Sequence, residues 1–349
     1  MEKIVEAFGF NQSNYSVEKI ENGLINHTWK LKSENKAFIL QKINHHIFKN
    51  PGNIAKNISM IGNYLSKHSP SYLFISSIGA KSGKNYFQDT DGYFYRLMPF
   101  VMKSHTITTV ENIHQAYEAA RQFGKFSRQL SDFDTSKLFI TLPDFHNLTL
   151  RFEQFKIAYK TASTDCLKSC EEYIRLAFKY QSIANQYSDI INKSNIPKRV
   201  IHHDTKISNV LFDKEDNGIC VIDLDTVMPG YFFSDLGDMM RTYLCPVSEE
   251  EEDLSKINIR LDMFESIVKG YCSEMGDVLT PEEKSLFTYS GKFMIYMQAI
   301  RFLTDFLNGD TYYTTTYPGQ NLIRAENQFC LLEKYIAQES ILTEISASY

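Results

Sequence analysis

The chain has 349 residues, 43% hydrophobic and 23% charged, with a net charge of −5. That balance supplies a large apolar core, and at roughly 100–200 residues per domain the length predicts two domains or lobes. A mildly acidic chain lacks the basic surplus of a nucleic-acid or anionic-membrane binder, and no run of about 18 apolar residues is present to span a bilayer.

In chain order, residues 15–20, 28–32 and 37–43 are short β-branched or aromatic runs between polar turns, which predicts strands. Asn22 and Gly23 stand between the first two and mark a hairpin. Pro51 and Gly52 precede a stretch where Ile54, Ile58, Ile61 and Leu65 recur at helical spacing, predicting a helix over 54–67. Residues 93–97 read as a further strand, ending at Met98, Pro99 and Phe100.

Helical patterns then dominate, near 110–131, 149–162, 167–188, 258–275, 281–308 and 320–338. Thr280, Pro281 and Glu283 supply a capping residue, a first-turn proline and the acid of a capping box. An island of short apolar strands interrupts the helices at 200–203, 209–212 and 219–224. The expected architecture is α+β and bilobal: a small β-rich lobe over 1–100, a hinge near 97–103, and a large mainly helical lobe over 101–349.

Six cysteines are scattered, and only Cys166 and Cys170 lie close in sequence. Two thiols on one helix face account for them better than a metal site does. The opening MEKIVEAFGF has no apolar h-region, so a cytoplasmic protein with free thiols is expected.

Polar residues concentrate in the strand island. It carries His202, His203, Asp204, Thr205 and Lys206, then Asn209, and after the next apolar run Asp223 and Asp225. In phosphoryl transfer a protein must hold Mg²⁺ on the phosphates, orient the acceptor hydroxyl and neutralise spreading charge. Asp204 can accept the acceptor's proton. Asn209 and Asp223 are hard oxygen ligands suited to Mg²⁺. Lys206 can set a positive charge beside the transferring group. Two strands with incidental polar ends are the plain alternative, and the complete string in this order argues against it.

His202-x-Asp204-x-x-x-x-Asn209 resembles the catalytic loop of the protein-kinase-like fold, and Ile222-Asp223 resembles its metal-binding acid. The segments from Asp223 to Gly230 and from Asp235 to Arg241 resemble those of the N-acetylhexosamine 1-kinases, within the aminoglycoside-phosphotransferase and choline-kinase superfamily. Similar segments occur in order elsewhere: Gly23 to Thr28, Phe38 to Asn44, Phe145 to Phe152, and Arg301 to Asp305 with Tyr312 after it.

The resemblance implies a bilobal protein-kinase-like fold, with ATP and Mg²⁺ held between the lobes. The implied reaction phosphorylates the anomeric hydroxyl of an N-acetylated hexose. In that frame Asp204 is the base, Lys206 a phosphate contact, Asn209 and Asp223 the metal ligands, and His202 a structural buttress. Arg301 and Tyr312 would touch the sugar, with His146 lining the same cleft. Plainer readings stand beside these: Arg301 pairs with Asp305 one turn on, Tyr312 is an ordinary aromatic, and His146 caps the following helix. Asp225 either reaches the substrate side or holds its loop. Asp235 is expected to hydrogen-bond the catalytic loop, and Asp238 to pair with Arg241.

The chain also departs from the pattern. Its nucleotide-covering loop has one glycine, which leaves Asn22 or Asn26 with backbone amides to meet phosphate. Gln41 stands where the ATP-orienting lysine is expected, and Lys42, one residue on, should face the other side of the sheet. Met98 and Phe100 fall where a hinge would hold adenine. A kinase for another sugar, choline or an aminoglycoside remains open, as does a non-catalytic ligand-binding member. An arginine in the acceptor pocket argues against a cationic acceptor. Oligomeric state is not legible.

Overall fold

The computed structural model describes residues 1–11, 15–20, 26–33, 36–193 and 195–349. Asn22 and Gly23, expected to turn the first hairpin and meet nucleotide, lie outside the described residues.

The small lobe opens with a short helix, α1 (Glu2–Ala7), which the sequence reading did not anticipate. Strands β1 (Ser16–Ile20), β2 (His27–Lys32) and β3 (Ala37–Ile43) follow, then helix α2 (Pro51–His68) and strands β4 (Phe87–Gln88) and β5 (Phe94–Pro99). They form an antiparallel sheet in the order β1-β2-β3-β5-β4. Side chains alternate across a sheet, so register decides what faces the second lobe. One row is Thr28, Gln41 and Arg96, and the next on the same face is Lys30, Ile39 and Met98. The opposite face sends Leu31, Leu40 and Leu97 into a small core with Val5 and Phe8. Lys42 goes to that side as expected, its Nζ 3.1 Å from the centroid of the Tyr93 ring.

Helix α2 behaves differently from its sheet. Ile54, Ile58, Ile61 and Leu65 are all buried, in the large core shared with Phe123, Phe126 and Leu148. Asn57, 1% exposed, donates from Nδ2 to the Phe139 and Val227 carbonyls (2.8 and 3.1 Å) and accepts from the Phe139 N–H (2.9 Å). The helix is thus tied to the second lobe by packing and by hydrogen bonds.

The large lobe contains α3 (Ile113–Gln129), α4 (Leu148–Thr161), α5 (Thr164–Ser169), α6 (Glu171–Lys179) and α7 (Ser182–Lys193). The single helix expected over 167–188 is therefore three pieces, because the backbone leaves helical geometry at Cys170 (φ −128°, ψ 22°) and Tyr180 (φ −97°, ψ 14°). Cys170 sits at the first of these breaks, so it does not share one helix with Cys166. All six cysteines are free thiols.

Strands β6 (Arg199–Ile201), β7 (Val210–Phe212), β8 (Gly218–Val221) and β9 (Met228–Gly230) make up the island. They form two antiparallel pairs, β6 with β9 and β7 with β8. Helix α8 (Phe232–Tyr243) follows, then α9 (Leu261–Met275), α10 (Pro281–Lys284), α11 (Phe287–Leu307), α12 (Gln320–Ala337) and α13 (Glu339–Ser346). The capping box at Thr280 and Glu283 forms, but it starts the short α10, and the helix expected over 281–308 breaks before α11. The molecule is a bilobal α+β fold of the protein-kinase-like architecture. No described helix is long and apolar enough to cross a membrane.

Candidate active site

The two strand pairs of the island present two loops to the face of the small lobe's sheet. The Ile222 N–H donates to the Asn209 carbonyl (2.8 Å) and holds those loops together. Each loop contains a left-handed residue: His203 at φ +66° and Asp223 at φ +58°. Such a conformation costs a non-glycine residue about 1–2 kcal/mol, and it persists only where surrounding contacts enforce it.

Helix α8 supplies many of those contacts. Asp235 accepts the backbone N–H groups of His202 (2.8 Å) and His203 (2.7 Å), and its carbonyl accepts the Thr205 hydroxyl (2.7 Å). Asp238 accepts the Thr205 N–H (2.9 Å), and the Tyr243 hydroxyl donates to the Thr205 carbonyl (2.6 Å). Asp238 also pairs with Arg241 (3.2 Å). The expected loop contact of Asp235 and the expected Asp238–Arg241 pair are both present. His202 is fully buried and its Nε2–H donates to the Ile222 carbonyl (2.9 Å), which links the two loops. Beside His203, a Cβ on Gly230 would lie 2.6 Å from the imidazole Nε2, so a larger residue there would have to displace that ring.

Asp204 follows His203 directly. Its Oδ1 is 3.8 Å from Lys206 Nζ, and this neighbour above all raises the lysine's pKa. Lys206 therefore stays cationic at neutral pH. Asn209 is 7% exposed and donates from Nδ2 to the Asp204 carbonyl (2.9 Å), which leaves its Oδ1 as the end able to meet a cation. Asp223 opens to the cleft with 42% of its side chain exposed. Partial desolvation, and then the Asp225 carboxylate, raise its carboxyl pKa above the usual carboxylate value.

That donor set fits Mg²⁺. Among the described residues no group of three His, Cys, Asp or Glu side chains could hold a metal alone. Mg²⁺ does not need one, since it takes one or two protein oxygens and completes its shell with phosphate and water. A bound cation would also hold the Asp223 carboxylate ionised.

The roof of the cleft carries a hydrogen-bond network that engages Gln41, Asn26 and Arg96. Gln41 Oε1 accepts from Arg96 Nε (2.9 Å) and Nη2 (2.7 Å), and its Nε2 donates to Thr28 Oγ1 (3.2 Å). Arg96 is 2% exposed; its Nη1 pairs with Asp225, and its Nη2 lies 4.0 Å from Asp223 Oδ1. Asp225 also accepts from Asn26 Nδ2 (2.9 Å), and Asn26 Oδ1 accepts the Asn44 N–H (2.9 Å). Asp225 is thus engaged with the small lobe, and both ends of the Asn26 amide are in use. Arg96 was not among the residues singled out from sequence. The only signal for it was its cross-strand position opposite Gln41, which no spacing along the chain reveals.

Met98 lies half-buried beside Ile39 in the second row of the cleft face. The Phe100 N–H donates to the Ala37 carbonyl (3.1 Å), and Lys30 Nζ sits 3.8 Å from the centroid of its ring.

A cavity of about 390 Å³ in the large lobe is lined by Arg151, Arg301, Thr304, Tyr312 and Tyr313 among others. The Arg301 guanidinium carbon is 5.7, 5.8 and 5.4 Å from the ring centroids of Phe145, Tyr312 and Tyr313, and its Nη1 donates to Gln298 Oε1 (3.2 Å). The pairing with Asp305 is not formed. Asp305 is buried and accepts the N–H groups of Thr311, Tyr312 and Tyr313 (3.0, 2.8 and 2.9 Å) and Asn321 Nδ2 (2.9 Å). Neither Arg301 nor Arg151 has a carboxylate within ion-pair distance among the described residues. Burial, and then Arg301, lower the Arg151 pKa. Tyr312 is 67% exposed and available to a ligand.

His146 is not among the residues lining this cavity; it stacks on Phe145 at 4.4 Å, the ring that Arg301 faces, and lies 5.4 Å from the His203 ring. It does not cap α4, since Asn147 does so by accepting from the Leu150 N–H (3.1 Å). Burial first, then His203 and Arg301, hold its pKa well below the usual histidine value, so the ring is neutral.

A model of the phosphotransferase enzyme family matches residues 16–259, well over half of the chain. The chain belongs to the phosphotransferase enzyme family. Solved structures similar to this phosphotransferase include a microcompartment-associated aminopropanol kinase, with a TM-score of 0.69 and 14% identity over 97% of each chain. An aminoglycoside phosphotransferase from Alicyclobacillus acidocaldarius gives 0.63 and 13%, over 97% of this chain and 95% of that one. A choline/ethanolamine kinase family protein from Mesorhizobium loti gives 0.59 and 13%, over 96% and 93%. At such identities the likeness is one of fold.

Proposed function

We propose that this phosphotransferase moves a phosphoryl group from Mg-ATP to a small, uncharged, hydroxyl-rich acceptor, specifically to the anomeric hydroxyl of an N-acetylhexosamine such as GlcNAc or GalNAc. One observation carries the reading: Asp204, Asn209 and Asp223 lie on two loops bonded to each other, with Lys206 3.8 Å from Asp204.

In the proposed reaction Asp204 takes the proton as the acceptor oxygen forms its bond to phosphorus and the bond to ADP breaks. Asn209 and Asp223 would hold Mg²⁺, which when bound neutralises charge on the phosphate oxygens. Lys206 adds positive charge on the Asp204 side. Backbone clamps from α8 keep Asp204 in place, so little reorganisation accompanies the transfer.

Charge and shape support the choice of acceptor. The cavity lined by Tyr312 and Tyr313 carries Arg151 and Arg301, and its one carboxylate, Asp305, is spent on backbone amides and Asn321. A cationic acceptor would meet like charge there. Aromatic rings and a guanidinium suit a neutral sugar. A second reading has support of its own, because the solved relatives include kinases named for aminopropanol and for choline or ethanolamine, which are amines. They favour the broader assignment of a small-acceptor kinase without favouring a sugar.

An ADP-release panel with GlcNAc, GalNAc, glucose, mannose, choline and kanamycin separates the readings. Turnover with the N-acetylhexosamines is expected, with choline and kanamycin inert. Asp204→Asn should lose about 10²–10⁴-fold in rate and still bind ATP. Turnover with choline alone would replace the sugar reading with the amine one. Silence with every acceptor would leave only a ligand-binding role.

A further inference from the structure

We propose that Arg96 and Asp225 replace the strand-lysine and helix-glutamate pair that positions the nucleotide phosphates in kinase folds, with Arg96 as the phosphate-contacting cation. The inference rests on the reading of the cleft as a Mg-ATP site.

Kinase catalysis relies on an ion pair between a lysine on the third strand and a glutamate on the following helix. Here both halves are absent. Gln41 is uncharged, and Lys42 is turned to the opposite face over Tyr93. Helix α2, PGNIAKNISMIGNYLSKH, contains no Asp or Glu in its 18 residues. A lost lysine alone would leave a buried acid without its partner. Loss of both is what relocation of the pair would produce.

Arg96 stands directly across from Gln41 in the β3–β5 register, on the same cleft face. A guanidinium that is 2% exposed must be paired, because an isolated buried charge is costly. Its acid is Asp225, two residues past the expected metal ligand, and Gln41 fixes the plane of the fork through Nε and Nη2. Gln41 thus still serves this position, by orienting a cation rather than supplying one.

Location and free valence point to phosphate. Nη2 lies 4.0 Å from Asp223 Oδ1, so the guanidinium borders the place where metal-bound phosphates would sit. Arginine has five N–H donors. Two go to Gln41 and one to Asp225, which leaves one on each terminal nitrogen. Each is a charged donor of the kind that phosphate oxygens accept. Among the described residues, two other cations share this face of β2 and β3: Lys30 is occupied over the Phe100 ring at the hinge end of the sheet, and Lys32 lies one register step beyond it, further from Gln41.

The competing role is a strut that merely joins β5 to the Asp223 loop. Calorimetric titration of the full-length protein with Mg-ATP and, separately, with adenosine distinguishes the two, because adenosine has no phosphate. Arg96→Gln should weaken Mg-ATP binding by about tenfold or more and leave adenosine affinity within about twofold. Adding Gln41→Lys to Arg96→Gln should restore most of the loss. Arg96→Lys keeps the charge but not the fork, and should lose about three- to tenfold for Mg-ATP only. It serves as the decisive variant if thermal melts show that Arg96→Gln does not fold. Equal loss for both ligands, or no loss for Mg-ATP, overturns the Arg96 assignment while wild-type binding keeps the Mg-ATP reading intact. A wild type that takes up no Mg-ATP removes both.

Discussion

His203 combines two costs at the base of the catalytic loop: a left-handed backbone and a buried imidazole. Loss of hydration, then the neighbouring His202, push its pKa down from 6.5 to about 3. The folded value is the lower one, so the unfolded chain holds the extra proton. The ring's contribution to stability is complete above pH 6.5 and is lost as pH falls from there toward 3. Urea melts across that window should show a loss approaching about 1.4 kcal/mol per pH unit for each such group. In His203→Asn, which tolerates the left-handed backbone, the slope should be shallower by about one proton; an unchanged slope would contradict this account. At the same scale, the grouping of Asp204, Asn209 and Asp223 on two adjoining loops was legible, because their spacing around two short strands is itself the signal. Asp225 was left between two roles, and its partners Arg96 and Asn26 decide how it is engaged. Arg96 was not legible, since its meaning depends on which strand lies opposite Gln41.

Helix α8 holds the catalytic loop through Asp235, Asp238 and Tyr243, yet it was not read as a helix from the sequence. Every residue of α8 except Thr242 is buried; its polar face, Asp235, Asp238 and Arg241, is turned to the catalytic loop rather than to solvent, and those residues were read as loop partners instead of as one side of a helix. Helix α2 was legible because its isoleucines mark one clear face. Packing of α8 gives a direct test. Gly237 lies so close to α11 that a Cβ would stand 2.3 Å from the Ser290 carbonyl oxygen. An exposed helical glycine usually gains about 1 kcal/mol when replaced by alanine. Here the new methyl must displace backbone, so Gly237→Ala should destabilise by about 1–3 kcal/mol and lower the melting temperature. A higher melting temperature would mean that α8 and α11 do not touch as described.

At the scale of the whole molecule, two lobes were legible from the change in periodicity near residue 100. Their coupling was not. An apolar stripe shows that a helix is buried but not against what, and α2 buries its stripe in the core of the larger lobe. Asn57 adds hydrogen bonds across the same junction. The Arg96–Asp225 pair makes a second link, from the sheet to the Asp223 loop. A nucleotide between these links would meet a preorganised roof and floor, which lowers the ordering cost of binding. Calorimetric titration of ATP into the wild type and Asp223→Asn, with and without Mg²⁺, reads that arrangement most directly. Uptake that depends on Mg²⁺ in the wild type, with the dependence lost in the variant, is the predicted result. A wild type that binds no ATP at saturating Mg²⁺, or a variant whose Mg²⁺ dependence is undiminished, would contradict it.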